Sequence, residues 1–445
     1  MKSKILFFLL ATFPVFLLAQ PLTLKESISI ALKNNPSLKV AKEKVKEAEA
    51  EKEKSISYFL PHLYSSSSYT RLDEKKKMEM SLPPIPGFPP LPETSITLTD
   101  EEIYDYNLTI TQPIFTGGRL TALYRMNNFN FKCSLFQQEK VKNDLIFEVK
   151  KAYYEVLTAE KLKKVGEETL KQTKAHLKVV ENFYREGMVP EVEVTRARVA
   201  VSKARELLIN TENSLKLARA YFNSVLHRDM DEEVLLEDIL ECEEAEVELE
   251  KCIREAFLHR PELKELEERI KMGEEGIKIA RSDFFPQVSL LYSWDRKRGE
   301  EIPIDEWQES WMAVVSVTLN IWDWGATRNE VRKAKAQVEQ LKQTLQLLKK
   351  RVELEVRQAY LNLISSKERI KVSEERVKEA EKNFHDTSLR FQQGMATNTD
   401  VLDAQTMLTR AKSDYYHALY NYKIALARLE KAMGREISDL KREEK

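Results

Sequence analysis

A chain of 445 residues with 71 Lys and Arg against 72 Asp and Glu, 32% charged and 42% apolar, is long enough for two or three ordinary domains. Its 11 glycines, against roughly 30 at average usage, and its bias to Glu, Lys, Ala, Leu and Val are those of long helices or coiled coils, and they argue against Gly-rich nucleotide-binding folds and large all-β barrels. The net charge of −1 leaves no basic excess for nucleic acid, and past the N-terminus no apolar run reaches the roughly 20 residues of a membrane helix.

In chain order, Lys2 and Lys4 precede an apolar run from Ile5 to Leu18, and Ala19 offers a small residue for cleavage. Residues 1–19 therefore read as a secretory signal peptide. Pro21 blocks cleavage after Gln20, and no cysteine follows the site, so a lipid anchor is not indicated. Cys133, Cys242 and Cys252 are an odd, scattered set; a Cys242–Cys252 disulfide and free thiols both stay open.

The chain then repeats itself. ALKNNPSL at Ala31–Leu38 returns as AFLHRPEL at Ala256–Leu263, an offset of about 225 positions. Gln112-Pro113-Ile114-Phe115-Thr116-Gly117-Gly118 lies over Leu319-Asn320-Ile321-Trp322-Asp323-Trp324-Gly325 at an offset of about 207, as does Glu186-Gly187-Met188 over Gln393-Gly394-Met395. The drop in offset marks an insertion in the first copy, which holds the proline run from Pro83 to Pro92, expected to be an exposed extended loop.

Each copy has one plan. A short helix opens the first, with Thr23 and Glu26 as a capping box, and Pro36 and Pro261 start a second helix. Two extended segments follow, Leu63–Arg71 and Tyr104–Gln112 in the first copy, Gln287–Arg296 and Trp311–Asn320 in the second. Their period-two alternation predicts strands with one apolar face, of the length found in outer-membrane barrels. All five tryptophans lie in or beside the second hairpin, and Tyr64, Tyr69, Tyr104 and Tyr106 in the first. That clustering suits an interfacial aromatic girdle, with Trp294 and Trp311 as its members in the second copy, better than the core of a small β domain.

Past Gly117-Gly118 and Gly325 the period changes. Val331, Ala334, Val338, Leu341, Leu345, Leu348 and Val352 alternate by three and four, a coiled-coil seam. Helices of nearly 70 residues are predicted from Arg119 to about Glu186 and from Gly325 to about Gln393, each about 100 Å long. Tight turns at Gly187-Met188 and Gly394-Met395 lead into antiparallel helices, the second with a seam from Val401 through Leu408 and Tyr422 to Leu429. The expected organisation is a first repeat over 20–228, an acidic linker or equatorial segment over 229–250 that would pack against the helices' midpoints, a second repeat over 251–433 and a tail over 434–445. The β-hairpins are expected at about 63–112 and 287–320, and the helical hairpins at about 119–226 and 326–433. Four strands cannot close a barrel, and open edges do not survive in lipid, so oligomerisation is required; a trimer would supply twelve strands.

Taken together, the ALKNNPSL opening, QPIFTGG at the strand exit, the two Gly-containing tips, and Asp400-Val401-Leu402-Asp403-Ala404 followed by Tyr420-Asn421-Tyr422 resemble the TolC family of outer-membrane channel proteins. The match extends over nearly the whole mature chain. The resemblance implies a mostly α fold with a small membrane β part: a homotrimer with a shared 12-stranded β-barrel in the outer membrane and an α-barrel in the periplasm. It implies passive export of small molecules, ions or proteins, with a periplasmic adaptor and an inner-membrane transporter of RND, ABC or MFS type as partners, besides outer-membrane lipid. It also implies that Asp400 and Asp403 form acidic rings at the tunnel constriction, that Glu193 and Phe391 stand at gate positions, and that Gly187, Met188, Gly394 and Met395 meet the adaptor. Ala396, Phe391 and Leu419 replace an Arg, a Tyr and a basic residue of the best-known member, so its polar gate links are not expected here.

Independently of the family, three copies of a carboxylate around a narrow axis focus negative potential and favour cations, whereas a lone acid in a helix's first turn merely suits the dipole. Glycine at the tips also follows from turn chemistry alone, although flexible Met beside it suits a partner groove. The six histidines are dispersed, with no metal-ligand spacing, nucleophile elbow or phosphate loop, so no enzyme, cofactor or metal site is expected. The rival reading is a periplasmic structural coiled-coil tether, which leaves the four alternating strands unexplained.

Overall fold

A computed structural model describes residues 21–80, 94–241, 247–300 and 303–437. The expected signal peptide, the proline run and Cys242 lie outside the described residues; Cys133 and Cys252 are buried free thiols. The chain divides into two compact units. One comprises Met1–Val40, Glu139–Pro261 and Lys349–Lys445, the other Ala41–Gln138 and Glu262–Leu348.

The second unit holds the sheet. β1 (His62–Arg71), β4 (Glu102–Thr116), β5 (Gln287–Arg298) and β6 (Gln308–Thr318) pair antiparallel in the order β1-β4-β5-β6. The insertion is more than a loop: β2 (Lys76–Met80) and β3 (Thr94–Thr99) form a separate two-stranded sheet. Register sorts the side chains by face. Leu63, Tyr69, Tyr104, Tyr106, Leu108, Ile110, Leu290, Tyr292, Trp294, Trp311, Ala313 and Val315 share one face. The other face carries Asp105, Asn107, Thr109, Ser293, Asp295 and Lys297, with Met312 and Val314 toward the β6 edge. There Asn107 Nδ2 donates to Ser293 Oγ at 3.0 Å and Asp295 Oδ1 at 2.7 Å, so the polar groups are paired across β4 and β5.

Near its end β4 bulges at Pro113, which cannot donate to the ladder. The extra residue, Ile114, shifts the alternation and sets Phe115 opposite Val288 on the apolar face. The chain then leaves for α3 (Arg119–Arg185) through Gly117 and Gly118, with φ of 61° and 83°. A Cβ on Gly117 would stand 2.6 Å from the Ser282 carbonyl oxygen. In the second copy Trp324 takes the same left-handed backbone (φ 56°) ahead of Gly325; its side chain is 88% exposed, and Asp323 steadies the turn by accepting from the Gly325 and Thr327 N–H groups.

In the first unit α1 (Leu24–Asn34) starts at the Thr23–Glu26 capping box, and α5 (Leu249–His259) is the short helix of the second copy. α4 (Glu191–Leu226) and α8 (Asn398–Met433) return antiparallel to α3 and α7 (Ala326–Gln392). Along α7 the positions Val338, Val352, Val356, Ala359 and Leu363 are buried among exposed neighbours, and Val401, Ala404, Leu408, Ala411, Ala418, Tyr422, Ala425 and Leu429 are buried along α8. The three-four spacing is thus a real apolar stripe on each helix. The segment after α4 is mostly irregular, but Val234, Leu236 and Leu240 are buried and Leu236 bridges to Leu22. Tyr153 ties both strands of that bridge down, its hydroxyl lying 3.0 Å from the Leu22 carbonyl and 2.9 Å from that of Glu237.

Candidate functional site

Both hairpin tips are built alike. In the first, Gly187 N–H donates to the Tyr184 carbonyl and Met188 N–H to that of Phe183; in the second, Gly394 donates to Phe391 and Met395 to Arg390. These paired bonds close each helix end with a left-handed glycine, φ 70° and 75°. Met188 and Met395, next in sequence, are 62% and 67% exposed. Apolar, flexible side chains are thus displayed on rigid turns, which the turn alone does not require.

Asp400 is the third residue of a capping box. Its Oδ2 accepts from the Thr397 N–H at 2.8 Å and from the Thr397 hydroxyl at 2.7 Å, which holds its carboxyl below the ordinary range. Asp403 is exposed, lines a groove of about 810 Å³ between α4 and α8, and makes no ion pair or side-chain hydrogen bond among the described residues. Of the two, Asp403 has its whole carboxylate available.

The other two expected gate residues are placed differently. Phe391 is 4% exposed, in a cluster with Val180, Val194, Ala197 and Val401, and its ring lies 5.0 Å from His176 and 5.4 Å from Phe183. It packs between the helices, because an aromatic ring at a seam position gains most by burial. Glu193 is tied: Arg196 Nη1 donates to Oε1 at 2.7 Å, and Asn398 Nδ2 donates to Oε2 at 2.8 Å and to the Glu193 carbonyl at 3.1 Å.

Asn398, 2% exposed, was not among the sequence candidates, and it joins the two hairpins. Its Oδ1 lies 2.7 Å from His176 Nε2, which must donate since Oδ1 only accepts. Farther along, Gln405 Nε2 donates to Gln172 Oε1 at 2.9 Å, and the Thr169 and Thr409 hydroxyls meet at 3.0 Å. This polar row between α3 and α8 carries no periodic signal distinct from the seam around it. Burial depresses the His176 pKa, partly offset by the bond to Asn398. A depressed base is neutral when folded, so the unfolded chain binds its proton first. Stability is therefore full above about pH 6.5 and falls as pH drops below it. Melting curves at pH 7.5 and 5.5 are expected to differ more for the parent than for His176→Gln; equal differences would remove His176 from the tip's pH response.

On the sheet, Tyr69, Tyr104, Tyr106, Trp294 and Trp311 lie on the apolar face, but Tyr64 does not: it pairs with Thr109 on the polar face. The physical reason is parity, since Tyr64 and Tyr69 are an odd number of residues apart on an unbulged strand. Trp307 joins the group, its ring 5.9 Å from Tyr104 and 5.7 Å from Tyr106. At the helix-proximal end a second aromatic band is exposed: Phe59, Phe115, Phe284, Phe285, Trp322 and Trp324. From Tyr106 to Phe115 is about 30 Å of strand at 3.4 Å per residue, or about 23 Å of height at a barrel's usual tilt. Leu63, Val315 and Val317, 64%, 67% and 64% exposed, belong to the apolar surface between the bands. That is close to the apolar belt of about 25 Å flanked by aromatic girdles in outer-membrane barrels.

The model of the outer membrane efflux protein family matches residues 27–226 and 252–435. The chain belongs to the outer membrane efflux protein family. Membership places it in the outer membrane with its helical part in the periplasm, among efflux proteins rather than enzymes. The probable outer membrane lipoprotein SilC of Salmonella typhimurium is 24% identical over 317 residues, 70% of this chain; the match spans 64% of that relative's length. The fold is that of solved members: the Campylobacter jejuni CmeC outer membrane channel (TM-score 0.77, 18% identity, 95% of this chain and 89% of that one) and the open state of Neisseria gonorrhoeae MtrE (0.75, 19%, 93% and 89%).

Proposed function

We propose that three copies of this efflux-family chain join their sheets edge to edge and form the outer-membrane exit duct of a tripartite export system. The observation that carries this is the sheet itself. It has four strands, an exposed apolar face bounded by two aromatic bands, and one unpaired edge on each of β1 and β6. Unpaired backbone groups in hydrocarbon cost several kcal/mol each, so β6 of one chain meets β1 of the next, and three chains of four strands close twelve. The Asn107–Asp295 face then lines the lumen.

Substrate handed over by an inner-membrane transporter and periplasmic adaptor passes through passively. Exposed Met188 and Met395 on their glycine turns support adaptor contact at the tips. Asp403, with Asp400 one turn away, forms the constriction, where three copies of each carboxylate favour cations. Phe391, Glu193, Asn398 and His176 act behind it, holding each chain's two hairpins together.

The test is reconstitution in planar bilayers. The parent is expected to conduct as a cation-selective trimer, and Asp403→Asn to lower the cation preference several-fold. Asp400→Asn is expected to act less cleanly, because it also disturbs the cap at about 0.5–1 kcal/mol. Recovery as a soluble monomeric rod would favour a tether; unchanged selectivity in the double variant would take both aspartates out of the constriction.

A further inference from the structure

Beyond its tyrosines the apolar face ends in arginines. By register Arg71 stands opposite Glu102, Arg298 opposite Tyr104, and Arg296 between Tyr106 and Glu309, so all three share the face of Tyr69, Leu108 and Trp311. These strand ends are the ones away from the helices, since β1 follows α2 (Pro36–Ser57), β5 follows α6 (Pro261–Ser282), and β4 and β6 lead into α3 and α7 from their opposite ends.

Three carboxylates near the arginines have partners of their own, Asp100, which also feels the charge of Arg298, being paired with Lys75 at 3.0 Å. Glu102 accepts from the Tyr69 and Tyr104 hydroxyls at 3.3 and 3.2 Å, and Glu309 lies 3.5 Å from Arg296 Nε. The Arg296 guanidinium also sits 4.9 Å from the Trp307 ring centre, which keeps it at the level of the aromatic band. Arg71 and Arg298 make no ion pair or side-chain hydrogen bond among the described residues. Two guanidiniums without an ion pair, beside a third stacked on indole, thus stand where the lipid-facing surface meets the headgroups.

A cation on that face is costly in hydrocarbon and much less so at the interface. Guanidinium binds phosphate by two parallel hydrogen bonds, which an ammonium cannot reproduce. Arg296 and Arg298 are alternate residues of β5, about 7 Å apart, and Arg71 on β1 stands two strand spacings, about 10 Å, across β4 from them, a spread that long arginine side chains can span only onto one large headgroup bearing more than one phosphate. We propose that Arg71, Arg296 and Arg298 form a binding site for the phosphates of lipid A, the glycolipid of the outer leaflet. The site rests on the sheet being embedded with this face outward.

Lys297 is the internal control. It lies between two of the arginines but points to the opposite face, 4.0 Å from Asp105. In native mass spectrometry of the detergent-purified protein, Arg71→Gln with Arg298→Gln is expected to reduce retained lipid A about tenfold, and Lys297→Gln to retain it like the parent. Phosphatidylglycerol or inorganic phosphate at equal concentration is expected to leave lipid A bound. Undiminished retention in the double variant, an equal loss in Lys297→Gln, or displacement by either competitor overturns the site; should the double variant misfold, Arg298→Gln alone is read the same way. Conductance in phosphatidylcholine bilayers separates the two levels, since a parent that never inserts refutes the embedded sheet, whereas a conducting parent with indifferent variants refutes only the arginine site.

Discussion

Gly299→Ala is expected to leave almost no protein assembled in the outer membrane. Gly299 turns the chain out of β5 with φ 95°, donating to the Ile304 carbonyl and accepting from the Asp100 N–H at 2.6 Å. A Cβ there would stand 2.2 Å from the Glu102 carbonyl oxygen and 3.1 Å from the Ile103 Cα, both backbone atoms of β4. Neither can rotate away, so the last pairs of the β4–β5 ladder must separate, at a cost above about 3 kcal/mol when positive-φ strain is added. Gly187→Ala isolates the strain, having a similar φ but nothing within 4 Å of the new Cβ; it should cost about 1–2 kcal/mol. Heat-modifiable oligomer in outer-membrane fractions is the measurement, and equal yields from the two variants would show that the β4–β5 approach is looser than described.

Phe391→Ala is expected to destabilise the tip by about 3–5 kcal/mol, the cost of emptying a buried aromatic site. Phe391→Leu, which refills most of the volume, should cost no more than about 1.5 kcal/mol. The losses should appear as faster amide exchange at Val180, Val194 and Val401, the residues that share its cluster, and as a larger resting conductance once the two hairpins part. If Phe391 instead lined an aperture, the alanine variant would raise conductance with exchange at these valines unchanged.

Much of this architecture is legible in the residues. The seam along α7 was readable because every third or fourth residue is Val, Ala or Leu among Lys, Glu and Gln, and a helix with that pattern has one face to bury. The tips and strand exits were readable because a left-handed backbone selects glycine, at Gly187, Gly394 and Gly118. The face of Tyr64 was also open to parity, since five positions from Tyr69 reverses the face. Phe391 and Glu193 are different. A family position says which residue stands there, and nothing about the rotamer that carries Phe391 inward or the Asn398 amide that occupies Glu193.

Local sequence determined the elements, their periods and their ends, because capping, glycine conformation and apolar spacing act within a few residues along the chain. It likewise raised the expectation of more than one copy, since four alternating strands could not satisfy their own edges in lipid. Partners distant in sequence were decided only by the tertiary structure: Asn398 with His176 and Glu193, and the register that places Tyr64 away from Tyr69 while aligning Arg71, Arg296 and Arg298 on one face. Contacts of that kind depend on how separately formed helices and strands dock, and docking is governed by shape and pairing across hundreds of positions, which no local pattern encodes.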